Sequence, residues 1–196
     1  MKLKLLVLSA TAAGLAAGCN PDPRPSSSPT GNATPVAEQP RTLADANSMI
    51  VYMNKVTPDE VGQRAGTVTV MQTEDGLQFT PNVLGLTEGQ HGFHIHQNPS
   101  CEPEMIEGKK VAAAAAGGHY DPENKGQHTG PHGDGHKGDL PMIEVDSAGN
   151  QQQVTIKDLS LDELKGRSLV VHMRRDDYSS NPAGDSGPRI ACGIID

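Results

Sequence analysis

Residues 98 to 138 form a run of about forty with neither the alternation of a strand nor the spacing of a helix, inside a chain whose flanks alternate clearly. A patternless stretch that long within a compact domain is unusual and is expected to be functional. It is rich in glycine and carries His119, His128 and His136. The remaining histidines lie close to it: His132 inside, His91, His94 and His96 just before, and His172 after.

The flanks read as strands. Met49–Met53 is a short apolar run, and Gly66–Gln72 alternates into an Asp75–Gly76 turn followed by Leu77–Thr80. His91–Gln97, Leu140–Val145, Gln153–Lys157, Ser168–Met173 and Ile190–Ile195 follow, with a turn at Asp146–Asn150 and one helical turn over Leu161–Gly166. The sum is about eight strands and an all-β fold. Twenty-two glycines and 15 prolines fit that class, and with no tryptophan and two phenylalanines the core must be aliphatic. A length of 196 residues with 35% hydrophobic content suits one compact domain plus appendages. The net charge of −8 excludes a general nucleic-acid binder but not a small anionic substrate, which responds to the local field.

The N-terminus is processed or anchored on this reading. Lys2 and Lys4 precede the apolar run Leu3–Leu15, and Leu15-Ala16-Ala17-Gly18-Cys19 has the form of a lipoprotein cleavage site, with Cys19 lipidated. Residues 1–18 are expected to be the signal peptide, 19–46 a Pro/Ser-rich tether and 47–196 the folded domain. The protein is then exported to the periplasmic or cell-surface side and held to the membrane through Cys19. Export leaves Cys101 and Cys192 in an oxidising compartment, where a pair is expected as a disulfide. Closing a loop of about 90 residues contributes on the order of 4–5 kcal/mol in the chain-entropy treatment.

Side chains alternate along a strand, so His94 and His96 share one face, expected to be outward, while Phe93 and Ile95 point into the core. Two imidazoles so placed are a start for a copper site. His119, His128, His136 and Asp139, carried on a glycine-rich loop, can wrap a tetrahedral zinc.

Four segments in order, His91-Gly92-Phe93-His94-Ile95-His96, Gly117-Gly118-His119-Tyr120-Asp121-Pro122, Gly135-His136-Lys137-Gly138-Asp139-Leu140-Pro141 and Arg189-Ile190-Ala191-Cys192-Gly193-Ile194-Ile195, resemble the bacterial exported Cu,Zn superoxide dismutases. The resemblance covers residues 47 to 196 and implies an eight-stranded Greek-key β-barrel or flattened sandwich with long metal-binding loops. It implies one copper per subunit on His94, His96, His119 and His172, and one zinc on His119, His128, His136 and Asp139, with His119 as the bridge. It implies that Arg189 receives the superoxide anion, that Asp176 links histidines of the two sites, and that Cys101 pairs with Cys192. His91 is expected to have a structural hydrogen-bonding role and His132 to face water. Relatives divide between monomer and homodimer.

Two stretches depart from the family's pattern. Met173-Arg174-Arg175 stands where small residues usually follow the last copper histidine, and Ala183-Gly184-Asp185-Ser186-Gly187-Pro188 replaces a glycine-rich run. Arg174 and Arg175 either help draw in the anion or pair with nearby acids. Two other readings compete: a copper and zinc storage protein without activity, and a cupin-type metalloenzyme built on His94, His96 and Glu102, which leaves His128, His136, Asp139 and the cysteines unexplained.

Overall fold

In the computed structural model the described residues are 47–196; the signal peptide, Cys19 and the tether expected over 1–46 lie outside them. The domain is all-β. Its strands are β1 (Ser48–Val56), β2 (Val61–Thr73), β3 (Gly76–Val83), β4 (Gly89–His91), β5 (Phe93–His96), β6 (Glu104–Ile106), β7 (Lys109–Val111), β8 (Ile143–Val145), β9 (Val154–Ile156), β10 (Arg167–His172) and β11 (Arg189–Ile195). Seven of them form one antiparallel sheet in the order β5-β10-β11-β1-β2-β3-β9, and β4 pairs separately with β8.

The strand patterns place themselves because alternate residues are apolar. In β3, Leu77, Phe79, Pro81 and Val83 are buried and the residues between them are not. Leu77, Phe79 and Val83, with Val51, Met53, Val68, Val70, Phe93, Ile95, Leu169 and Val171, belong to the principal core. Phe79 meets Phe93 edge-on at 5.7 Å, so the sparse aromatics sit together at its centre. A single helical turn, α1 (Leu161–Leu164), falls where expected, its first turn closed by the Glu163 carboxylate accepting from Ser160 N at 3.0 Å.

Eleven strands are present among the described residues rather than the expected eight. The expected His91–Gln97 strand is split at Gly92, its two halves pairing with different sheets. The stretch read as strandless also contains a hairpin, β6 with β7. Its residues are exposed on both strands, so no buried face marks it in the sequence.

The loop is fastened by Cys101–Cys192, a disulfide with Cα atoms 5.7 Å apart. Around it Val56, Ala112, Ala113, Ala116 and Val170 form a second small core. The bond thus joins the start of the long loop to β11.

Candidate metal centre

His94 and His96 alternate with Phe93 and Ile95 on β5, and His172 ends β10, which lies beside β5 with Val170 opposite His94. Arg189 opens β11 directly across from His172. The long loop comes to them by clipping onto β5. Tyr120 N donates to Ile95 O at 2.8 Å, Gly138 N to Tyr120 O at 2.8 Å, and Ile95 N to Gly138 O at 2.9 Å. These bonds bring His119 opposite His96 and Asp139 opposite His94. The loop also covers the strand face, so His94 and His96 are fully buried; the expectation of an outward surface was wrong because the loop closes over it.

Three groups have their ligand-type atoms within 4.8 Å of one another: His94/His96/His119/His172, His119/His128/His136/Asp139, and His94/His128/Asp176, the last already joined by hydrogen bonds. His119 belongs to the first two. The ring nitrogens divide sharply in their bonding. His94 Nε2 donates to Asp176 Oδ2 at 2.6 Å, His96 Nδ1 to Gly117 O at 2.9 Å, and His172 Nδ1 to Gly187 O at 3.0 Å. The opposite nitrogens, His94 Nδ1, His96 Nε2, His172 Nε2 and His119 Nε2, are buried without a hydrogen-bond partner. His128 Nδ1 and His136 Nδ1 are likewise unpartnered, although they lie 2.9 and 3.4 Å from the Asp139 carboxylate. His119 Nδ1 is 2.7 Å from Asp139 Oδ1.

Six buried nitrogens left without partners would be costly in a fold that had no use for them. Imidazole nitrogens joined by one carboxylate are the donor set that copper and zinc favour, and each strand-side ring has its other nitrogen fixed by a hydrogen bond, as metal-binding histidines usually do. The residues fit both metals. Asp176 ties the first two groups together from outside: its other oxygen accepts from His128 Nε2 at 2.8 Å. Gly184 packs against that carboxylate with φ 61°, and any Cβ there would collide with it.

Electrostatics differ between the groups. Burial holds His94, His96 and His172 below the usual imidazole range, and His119 down to about 3, so all four are neutral at pH 7. Burial also acts on His128, but Asp139 and Asp176 outweigh it and push that ring up to about 9. Both carboxylates stay below the ordinary range despite burial, because His119, His128 and His94 donate to them. Beside the rings a cavity of about 180 Å³ is lined by Gln97, Gly118, His119, Asp121, His136, Pro182, Ala183 and Arg189. Arg189 donates to Ala113 O at 2.6 Å and Gly117 O at 2.8 Å, and burial lowers it only to about 10, leaving it cationic.

Residues 64–195 match the copper/zinc superoxide dismutase family. The chain belongs to that family. It is 51% identical over 156 residues to the second copper–zinc superoxide dismutase of Salmonella typhimurium, covering 78% of this chain and 90% of that protein. With the Escherichia coli K12 enzyme it shares 47% over 158 residues, covering 79% and 91%. Among solved structures it resembles the Cu/Zn superoxide dismutase of Brucella abortus, with a TM-score of 0.73 and 46% identity over 76% of this chain and 99% of that one. A SOD-like protein from Bacillus subtilis is also similar, at a TM-score of 0.59 and 30% identity over 74% and 97%.

His94, His96, His119, His128, His136, His172, Asp139, Asp176 and Arg189 come together in or against this centre, whereas Cys101 and Cys192 pair in the second small core. His91 stands apart, its nitrogens 2.9 Å from His172 O and 3.0 Å from Thr87 O, and His132 is exposed. Sequence reasoning missed the main-chain carbonyls of Ala113, Gly117 and Gly187, which orient Arg189, His96 and His172; no side-chain motif signals them.

Proposed function

We propose that this protein dismutes superoxide, two anions and two protons giving one dioxygen and one hydrogen peroxide. Copper held by His94, His96, His119 and His172 would supply a reversible one-electron change of charge, while zinc held by His119, His128, His136 and Asp139 is redox-inert. Arg189, immobilised by two carbonyls in a small cavity, binds the anion through charge-assisted hydrogen bonds. Arg189 and His119 line the same cavity, so an anion held by the guanidinium would lie beside the shared ring. His119 Nε2, buried without a hydrogen-bond partner, is the atom that would take up a proton from solvent and pass it to the reduced substrate. Asp176, accepting from His94 and His128, fixes both rings so that their Nδ1 atoms face inward.

The observation that carries the reading is the six unpartnered buried nitrogens converging on two groups with His119 in both. A storage protein that binds both metals without activity is the competing reading. Retention of Arg189 beside the rings favours the enzyme. Copper and zinc content measured beside dismutation on one purified sample tests it: activity should rise with copper occupancy, and full occupancy with no activity would make this a binding protein.

We propose further that residues 1–18 direct export, that 19–46 tether the domain at 47–196, and that Cys19 is lipidated, placing the enzyme on the periplasmic or cell-surface side as a monomer or homodimer. The Cys101–Cys192 bond supports an oxidising compartment. Fatty-acid labelling should mark the native chain and not Cys19→Ser; equal labelling of both contradicts the anchor.

A further inference from the structure

The two stretches that depart from the family's pattern meet in space. The Arg174 guanidinium reaches the Asp185 main-chain oxygen with Nε at 3.3 Å and Nη2 at 3.0 Å, and Nη2 also donates to Asp185 Oδ1 at 2.8 Å. Asp185 sits at φ 47°, a left-handed conformation that non-glycine residues adopt reluctantly. Gly187, two residues on, lies against the same guanidinium, and its carbonyl accepts the His172 Nδ1 proton. The main chain repeats the connection: Arg174 N donates to Ser186 O at 2.9 Å and Met173 N to Pro188 O at 2.8 Å.

We infer that Arg174 is a positioning residue for His172. Its fork holds the segment 183–187 so that Gly187 O fixes the His172 ring with Nε2 turned toward His94, His96 and His119. The inference rests on His172 being a copper ligand, as proposed above. An ion pair with half its surface in water contributes little by itself. The geometry comes from the fork: two of its three hydrogen bonds go to a main-chain oxygen, which a lysine ammonium cannot grip in the same plane. Pairing with Asp185 also cancels the charge that would draw in an anion. Arg175 is exposed and without an ion pair among the described residues.

The discriminating variant is Arg174→Lys, which keeps the charge and removes the fork. Copper affinity should fall about tenfold, the scale for losing an outer partner of a ligand, with a changed cupric electron paramagnetic resonance (EPR) spectrum, unchanged zinc affinity and an unchanged salt dependence of the rate. Asp185→Gly keeps the main-chain acceptor and relieves the left-handed strain, and should hold copper within about twofold of the native chain on that same scale. Native copper affinity and spectrum in Arg174→Lys, together with a rate lost only at low salt in Arg174→Ala, would overturn the inference and make Arg174 a steering charge. The native chain is titrated alongside: if it fails to take up copper, the proposed function falls, whereas copper bound equally by native and Arg174→Lys chains removes this inference alone.

Discussion

The strand-borne and loop-borne halves of the centre are built on opposite principles. His94, His96 and His172 stand on β5 and β10, whose other faces are packed core, and burial keeps them neutral. His128, His136 and Asp139 stand outside any of the named strands, and there the carboxylates set the field, raising His128 to about 9. A rigid neutral set suits a metal that must change charge without its ligands moving. A loop-borne set drawn together by acid groups suits an ion whose task is to order the loop. His119 and Asp176 are where the two principles meet.

The largest effect is expected from removing the shared ring. His119→Ala should lower dismutation by more than the roughly 100-fold upper range for an outer partner, and should weaken copper and zinc together. Full zinc affinity with copper alone lost would break the sharing. Asp139→Ala, confined to the loop half, should release zinc while leaving measurable copper-dependent activity; loss of copper alone would mean the halves are exchanged. Asp176→Asn should weaken both metals by about 10–100-fold, since Asp176 holds one ring from each half. A change in one metal only would separate them.

Acid should expose the contrast in protein stripped of metal. His119 titrates near 3 when folded against about 6.5 when unfolded, so below pH 6.5 the unfolded chain takes up protons that the fold refuses. His94, His96 and His172 act in the same direction, each contributing a slope of up to about 1.4 kcal/mol per pH unit. His128 has the opposite sign: its stabilisation is complete below pH 6.5 and is lost as pH rises through about 9. Thermal melts of metal-free protein should therefore show maximum stability near pH 6.5, with a steeper acid than alkaline limb. A steeper alkaline limb would mean that the loop half dominates.

The strand half was the more legible in sequence. The alternation of Phe93-His94-Ile95-His96 assigns faces by period alone, and the structure keeps that assignment. What alternation does not tell is what covers a face, so the burial of His94 and His96 needed the loop. The β6–β7 hairpin escaped notice for a different reason. Its turn residues Glu107 and Gly108 both have positive φ, at 49° and 80°, yet glutamate is not the Asn or Asp that usually marks such a turn. The partners of His96, His172 and Arg189 are carbonyl oxygens, which every residue carries, and only the folded chain selects them. Arg174 could be read as an ion-paired cation, but choosing Asp185 over the nearer Asp176 and Asp177 required the path of the loop.

On the proposed function, one imidazole, that of His119, joins the two halves. Cupric ions placed in both sites are each paramagnetic, and an imidazolate shared between them couples their spins. EPR spectroscopy of the native chain with copper in both sites, against the same chain with copper and zinc, therefore reads the bridge directly. The doubly copper-loaded protein should lose most of its ordinary cupric signal through coupling at His119, while the mixed form should show one undisturbed signal. Two independent cupric signals of additive intensity would contradict the bridge.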